Sequence, residues 1–185
     1  GLSLVLAGCG QDAQVMVGDG GSDAAGVHPA SATTLRANAA AAELRLEVEI
    51  PRMAVAEYHA PYVAFWVESP DRSTIVPLGL WYDDQEKWLK DIRQWWRRTG
   101  RGQQKPYDGL TGATRSPGKH SVDFGELPGL QNLPEGNYQL VVEASREVGG
   151  REVLRLPFQW PAQNNQQQQV NGSTELGAVT LTITP

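Results

Sequence analysis

From residue 43 onward, apolar side chains recur at every second position, and this period restricts the fold more than any other feature of the chain. Leu44, Leu46, Val48 and Ile50 alternate with Arg45, Glu47 and Glu49 until Pro51 ends the run. A period of two puts the apolar set on one face of a strand and the charged set on the other. Tyr62 to Val67 is apolar throughout and short, which predicts a central strand. Thr74 to Val76 and Leu78 to Trp81 make a third strand interrupted by Pro77, whose missing N–H places it at an edge or a bulge. Alternation returns at His120, Val122 and Phe124, at Tyr138, Leu140, Val142 and Ala144, at Leu154, Leu156 and Phe158, and at Val179, Leu181 and Ile183. Turn residues separate these runs at Glu68–Asp71, Leu133–Asn137 and Gly149-Gly150. The expectation is a mostly β chain, an antiparallel immunoglobulin-like sandwich of about seven strands with one inserted amphipathic helix.

That helix is predicted over Asp84 to Arg98. Asp83 and Glu86 have capping-box spacing, Arg97 and Arg98 suit the negative end of the macrodipole, and Gly100 can stop the helix. Trp88, Leu89, Ile92, Trp95 and Trp96 share one face, so Trp88 and Ile92 are expected on the sheet. Trp95 and Trp96 are about 100° apart on a helical wheel, which leaves one of them to flank a flat ligand. Pro161 to Ser173 is rich in Gln and Asn and carries no core signal, which predicts a loop.

The N-terminal part is organised differently. Leu6-Ala7-Gly8-Cys9, after an apolar run, resembles the lipobox that ends a bacterial lipoprotein signal. On that reading residues 1–8 are a signal remnant and Cys9 is the lipid attachment site. Residues 9–42, poor in large apolar groups, form a flexible tether, and residues 43–185 form the periplasmic domain. Cys9 is the single cysteine, which excludes an internal disulfide, a CxxCH haem site, an iron–sulfur cluster and a multi-cysteine zinc site. A net charge of −5 argues against nucleic acid as a partner. His28, His59 and His120 are scattered, without the helical i, i+4 pairing that would suggest a metal.

One stretch is better explained by chemistry than by packing. Asp108-Gly109-Leu110-Thr111-Gly112-Ala113-Thr114 reads as a loop, closed by the turn Ser116-Pro117-Gly118. It resembles the D-x-x-[ST]-G-A-[ST] pattern at which bacterial envelope flavin transferases attach FMN, through its phosphate, to a hydroxyl. That pattern occurs in subunits of the sodium-pumping NADH:quinone reductase and in related electron-transfer complexes. The resemblance implies that Thr114 is the acceptor, with Asp108, Thr111, Gly112 and Ala113 as the surrounding motif. Gly112 and Ala113 leave room for a bulky phosphate donor, and Asp108 is suited to hold the loop or a metal in the transferase's site.

Further segments extend the likeness. Ile50 to Met53, Tyr62 to Trp66, Lys87-Trp88-Leu89, Trp95-Trp96-Arg97 and Asp108 to Gly118 resemble the bacterial periplasmic domain-of-unknown-function family 2271, over residues 43 to the C-terminus. That resemblance implies a flavin transferase and a membrane redox protein, of the PepSY type, as partners in extracytosolic electron transfer. Leu133 to Ala144, with its L-P-x-G-x-Y, is also similar to the immunoglobulin-like module of flagellar hook-cap proteins. From Glu86 to Lys119 there are nine bases and three acids, a local charge of +6 suited to a phosphate ester. The resulting expectation is a redox carrier, with FMN on Thr114, rather than an enzyme with its own substrate. Two other readings stand beside it: a non-catalytic immunoglobulin-like binding or assembly module, and, less favoured, a hydrolase lacking any acid/base constellation around Thr114.

Overall fold

A computed structural model describes residues 42–185. The expected signal remnant at 1–8, lipid-bearing Cys9 and the tether up to residue 41 lie outside the described residues. Among the described residues there are nine strands: β1 (Glu43–Ile50), β2 (Tyr62–Glu68), β3 (Ile75–Trp81), β4 (Leu110–Gly112), β5 (Gly118–Asp123), β6 (Gly136–Ser145), β7 (Arg151–Trp160), β8 (Gln166–Asn171) and β9 (Ala178–Thr184). They form two sheets, ordered β5-β1-β9-β8 and β4-β3-β2-β6-β7. Every pairing is antiparallel except β3 with β4, which run parallel.

The alternation in β1 places Leu44, Leu46, Val48 and Ile50 in the core, as its period requires. They meet Val63, Phe65 and Val67 of β2, Leu140 and Val142 of β6, and Val179, Leu181 and Ile183 of β9. The opposite face of β2 is also covered. Tyr62, Ala64 and Trp66 belong to a second apolar cluster with Leu89, Ile92, Trp95 and Tyr107. Burial on both faces explains why β2 is apolar at every position except its last. Pro77 sits in β3 where the pairing with β2 slips between Phe65 and Trp66, a bulge that spares the sheet a missing donor.

Several expectations need correcting. The strand count rises to nine because β4 and β8 were not foreseen. β8 lies inside the stretch read as a Gln/Asn loop. It is an edge strand, exposed at most positions, so its pairing with β9 needs no apolar alternation. The single helix over Asp84 to Arg98 is in fact a 3₁₀ segment, Glu86–Asp91, followed by α1 (Arg93–Arg98). Ile92, at ψ 74°, breaks the two apart. The capping box does not form, because Asp83 accepts from the Tyr62 hydroxyl and from the Gln85 N–H at 2.7 Å, while Glu86 pairs with Lys105. With the break, Leu89, Ile92 and Trp95 are buried against the sheet, and Trp88 packs against the same cluster but is only partly buried. A further short helix, α2 (Pro128–Gln131), follows β5.

Two carboxylates, one buried and one partly buried, fasten these parts. Glu143 of β6 is fully buried and accepts from the backbone N–H of Gln94 (3.0 Å) and Trp95 (2.8 Å) and from Arg151 Nε (2.5 Å). Glu152 of β7 accepts from four consecutive N–H groups, Ser173 to Leu176, at 2.6 to 3.1 Å, tying the β8–β9 connection to the neighbouring sheet. Burial alone would raise the Glu152 pKa, but those donors outweigh it and lower it from 4.5 to about 2.

Two outcomes follow. Trp95→Ala should cost about 3–5 kcal/mol in denaturant melts, and Trp96→Ala clearly less; equal losses would contradict the assignment of Trp95 alone to the core. A pKa depressed on folding gives stability that is complete above the unfolded value and is lost as pH falls through the folded one. Wild type should therefore lose more stability than Glu152→Gln between pH 4.5 and about pH 2. Parallel curves across that window would show that the carboxylate is not held by those donors.

Candidate functional site

The motif expected to be a loop is partly a strand. Leu110, Thr111 and Gly112 pair with Gly79, Leu80 and Trp81 at the rim of the five-stranded sheet, and Gly112 O accepts from Tyr82 N–H at 3.0 Å. Two glycines allow this close approach. Gly109 has φ +90°, and a Cβ there would collide with the Leu78 carbonyl. A Cβ on Gly79 would lie 2.6 Å from the Leu110 oxygen. Asp108, just before the strand, is exposed and donates its N–H to Gln103 Oε1 at 2.8 Å. Thr111 and Ala113 are exposed. Gly112 is half-buried, and the space where a Cβ would project is bounded only by Arg115, 3.6 Å away.

Thr114 follows β4 and is half-buried. It lines a cavity of about 80 Å³ with His59, Tyr62, Asp83, Trp88, Asp91 and Glu147. Among the motif residues only Thr114 enters this cavity; Asp108, Thr111, Gly112 and Ala113 do not line it. The other members come from distant parts of the chain. Tyr62 opens β2, Asp83 follows β3, Trp88 and Asp91 belong to the 3₁₀ segment, and Glu147 stands in the β6–β7 turn. The Tyr62 hydroxyl donates to Asp83 and to Gln85 O (3.1 Å). Burial, reinforced by Asp83, pushes its pKa far up, so it is a donor at any physiological pH. His59 Nε2 lies 2.8 Å from Glu57 Oε1, and its Nδ1 lies 3.7 Å from Glu147.

The basic surround expected from residues 86–119 is not gathered on Thr114. Asp83, Asp91 and Glu147 line its cavity, with no lysine or arginine. The bases are distributed around other partners. Lys105 pairs with Glu86, Lys119 with Glu47 at 3.6 Å, and Arg98 donates to Arg72 O at 2.7 Å. Arg115 lies over the Trp81 ring at 5.3 Å and Lys87 Nζ over Trp88 at 4.8 Å. A run of like charge along the chain says little about which side chains converge. Trp95 is buried and Trp96 half-buried, but the tryptophan that reaches Thr114's cavity is Trp88. Its sequence signal was present in the aromatic stripe and was hidden by the assumption of an unbroken helix. Among the described residues no group of three or more His, Cys, Asp or Glu could hold a metal ion, and no helix is long and apolar enough to cross a membrane.

The model of a family described as "Predicted periplasmic protein (DUF2271)" matches residues 43–178. No curated protein and no solved structure matches the chain.

Gly109→Ala should destabilise the domain by about 1–3 kcal/mol, the cost of an unfavourable backbone conformation, and should raise amide exchange in β4 before the rest of its sheet. An alanine variant with unchanged melting and exchange would contradict the close approach of Gly109 to Leu78.

Proposed function

The chain belongs to the DUF2271 family of predicted periplasmic proteins, and on that premise we propose that it is an extracytosolic electron carrier with FMN joined to Thr114. The observation that carries this reading is the coincidence of two independent features at one residue. Thr114 ends the D-x-x-T-G-A-T pattern, and of that pattern it alone lines a cavity containing aromatic side chains, Tyr62 and Trp88. Attachment needs an activated FMN and a flavin transferase. The Thr114 hydroxyl oxygen forms the bond to phosphorus, the bond from phosphorus to the donor's leaving group breaks, and the hydroxyl proton passes to a base on the transferase. Exposed Ala113 and half-buried Gly112 keep bulk away from the approach.

Once bound, FMN supplies reversible electron transfer, and the protein supplies its position and surroundings. The partners under this reading are the flavin transferase and a membrane redox protein of the PepSY type. Lipid on Cys9 would hold the domain at the membrane. The two sheets are read as an immunoglobulin-like sandwich. In support, Tyr138, near the start of β6, donates its hydroxyl to Pro134 O at 2.7 Å, the geometry of a tyrosine corner.

The second reading is a non-catalytic immunoglobulin-like binding or assembly module. Two observations favour it: Gly109 and the β4 pairing give the motif a structural duty without modification, and carboxylates face Thr114. Mass spectrometry after co-expression with an active flavin transferase distinguishes the two. The carrier gains the mass of FMN less one water, on the peptide holding Thr114. Thr114→Val loses the adduct while keeping the melting curve, and Thr111→Ala leaves the site where it is. An unmodified wild type, or an adduct that survives in Thr114→Val, would leave the module reading in place.

A further inference from the structure

Two adjoining depressions share Trp88, Asp91, Ser145 and Glu147 as lining residues. The first is the 80 Å³ cavity at Thr114. At roughly 30 Å³ per water it holds only two or three waters, too few to make way for a tricyclic ring. The second, of about 540 Å³, lies against the turn 146–150 and adds Arg93, Val148 and Arg151 to the shared residues. It falls within the roughly 300–1,000 Å³ typical of ligand sites. Resting on the reading that Thr114 carries FMN, we propose that the isoalloxazine ring lies in this second depression, stacked on the indole of Trp88.

Three features of the chain suit that placement. Trp88 is only partly buried where it packs on the cluster of Leu89, Ile92 and Trp95, which are fully covered. Its Nε1 donates to Gln85 Oε1 at 3.3 Å, which fixes the indole edge, and the flexible Lys87 side chain places its Nζ 4.8 Å from the ring centroid. Flavins and indoles stack face to face through extended π-systems, as other aromatic pairs do in offset geometry. At the rim, Val148 is 76% exposed and has φ +53°. A β-branched residue in the left-handed region is a true backbone outlier, and here it holds an apolar side chain at the edge of the depression. Finally, Arg146 and Arg151 are engaged by Glu175 and Glu143, whereas Arg93 makes no ion pair among the described residues. Arg93 thus offers a cation to the electron-rich carbonyl edge of the ring.

A larger depression of about 680 Å³ adjoins Leu110 on the same motif, but Glu43, Asp123 and Glu126 line it, without an aromatic or basic side chain. It gives a phosphorylated flavin neither a stacking surface nor a counter-charge.

An indole in contact with a flavin quenches its fluorescence by giving an electron to the excited ring, and phenylalanine does not. Wild type, Trp88→Phe and Trp96→Phe are purified after co-expression with a flavin transferase, and adduct mass and flavin fluorescence are read on each. The expected result is a dim wild type, a several-fold brighter Trp88→Phe with the adduct intact, and an unchanged Trp96→Phe. In parallel, hydroxyl-radical footprinting of unmutated protein, with and without flavin, should show Trp88 oxidation falling several-fold on loading, with Trp96 unaffected. A loaded Trp88→Phe as dim as wild type, or equal Trp88 oxidation in both forms, overturns the ring's placement and leaves the Thr114 attachment standing. Absence of adduct on wild type, with the transferase shown to be active, removes both.

Discussion

The carboxylate of Glu143 governs how the outer layer meets the sheet. Helix α1 is only six residues long, and so short a helix has little stability of its own. Its first N–H groups would be unpaired, since no side chain caps it locally. Glu143 reaches across from β6 to accept two of them, while Arg151 balances its charge. Breaking such a buried pair from one side typically costs about 3–5 kcal/mol, because the remaining charge is stranded. This contact sets where the helical segment lies, and so how far Leu89, Ile92 and Trp95 sink and how much of Trp88 remains outside.

The sheet beneath is built to accept that layer. β2 is apolar on both faces, so its inner side chains join the inter-sheet core and its outer ones the cluster with Trp95. Trp66 extends this to a polar contact, donating Nε1 to Glu68 at 3.2 Å, and Glu68 in turn lies 3.6 Å from Arg98 of the helix. Apolar burial and ionic contacts thus act on the same segment from the same side, and the short helix needs both.

Much of the fold was legible in local pattern. The alternation of β1, the unbroken apolar run of β2, the bulge forced by Pro77 and the Gly149-Gly150 hairpin all depend on neighbours in sequence, and each is found in the structure. What escaped depends on neighbours in space. The helix divides at Ile92, and Asp83 is engaged by Tyr62 of a distant strand rather than capping it. β8 pairs with β9 with Val170 as its single apolar side chain, and Gln166 adds a contact to the other sheet through its side-chain amide on the backbone of Gln159, donating at 2.8 Å and accepting at 2.9 Å. At the candidate site, sequence singled out Thr114 from its motif but could not supply Tyr62, Asp83, Trp88 or Glu147. Four separate connections bring these residues together.

The three-residue strand β4 has a consequence for access. Leu110, Thr111 and Gly112 hold the rim through three register pairs, and none of them belongs to either apolar cluster. Local opening of a segment that buries so little apolar surface costs far less than global unfolding. The strand can therefore open locally at the rim, while β3, paired with β2 on its other side, keeps the rest of the sheet closed.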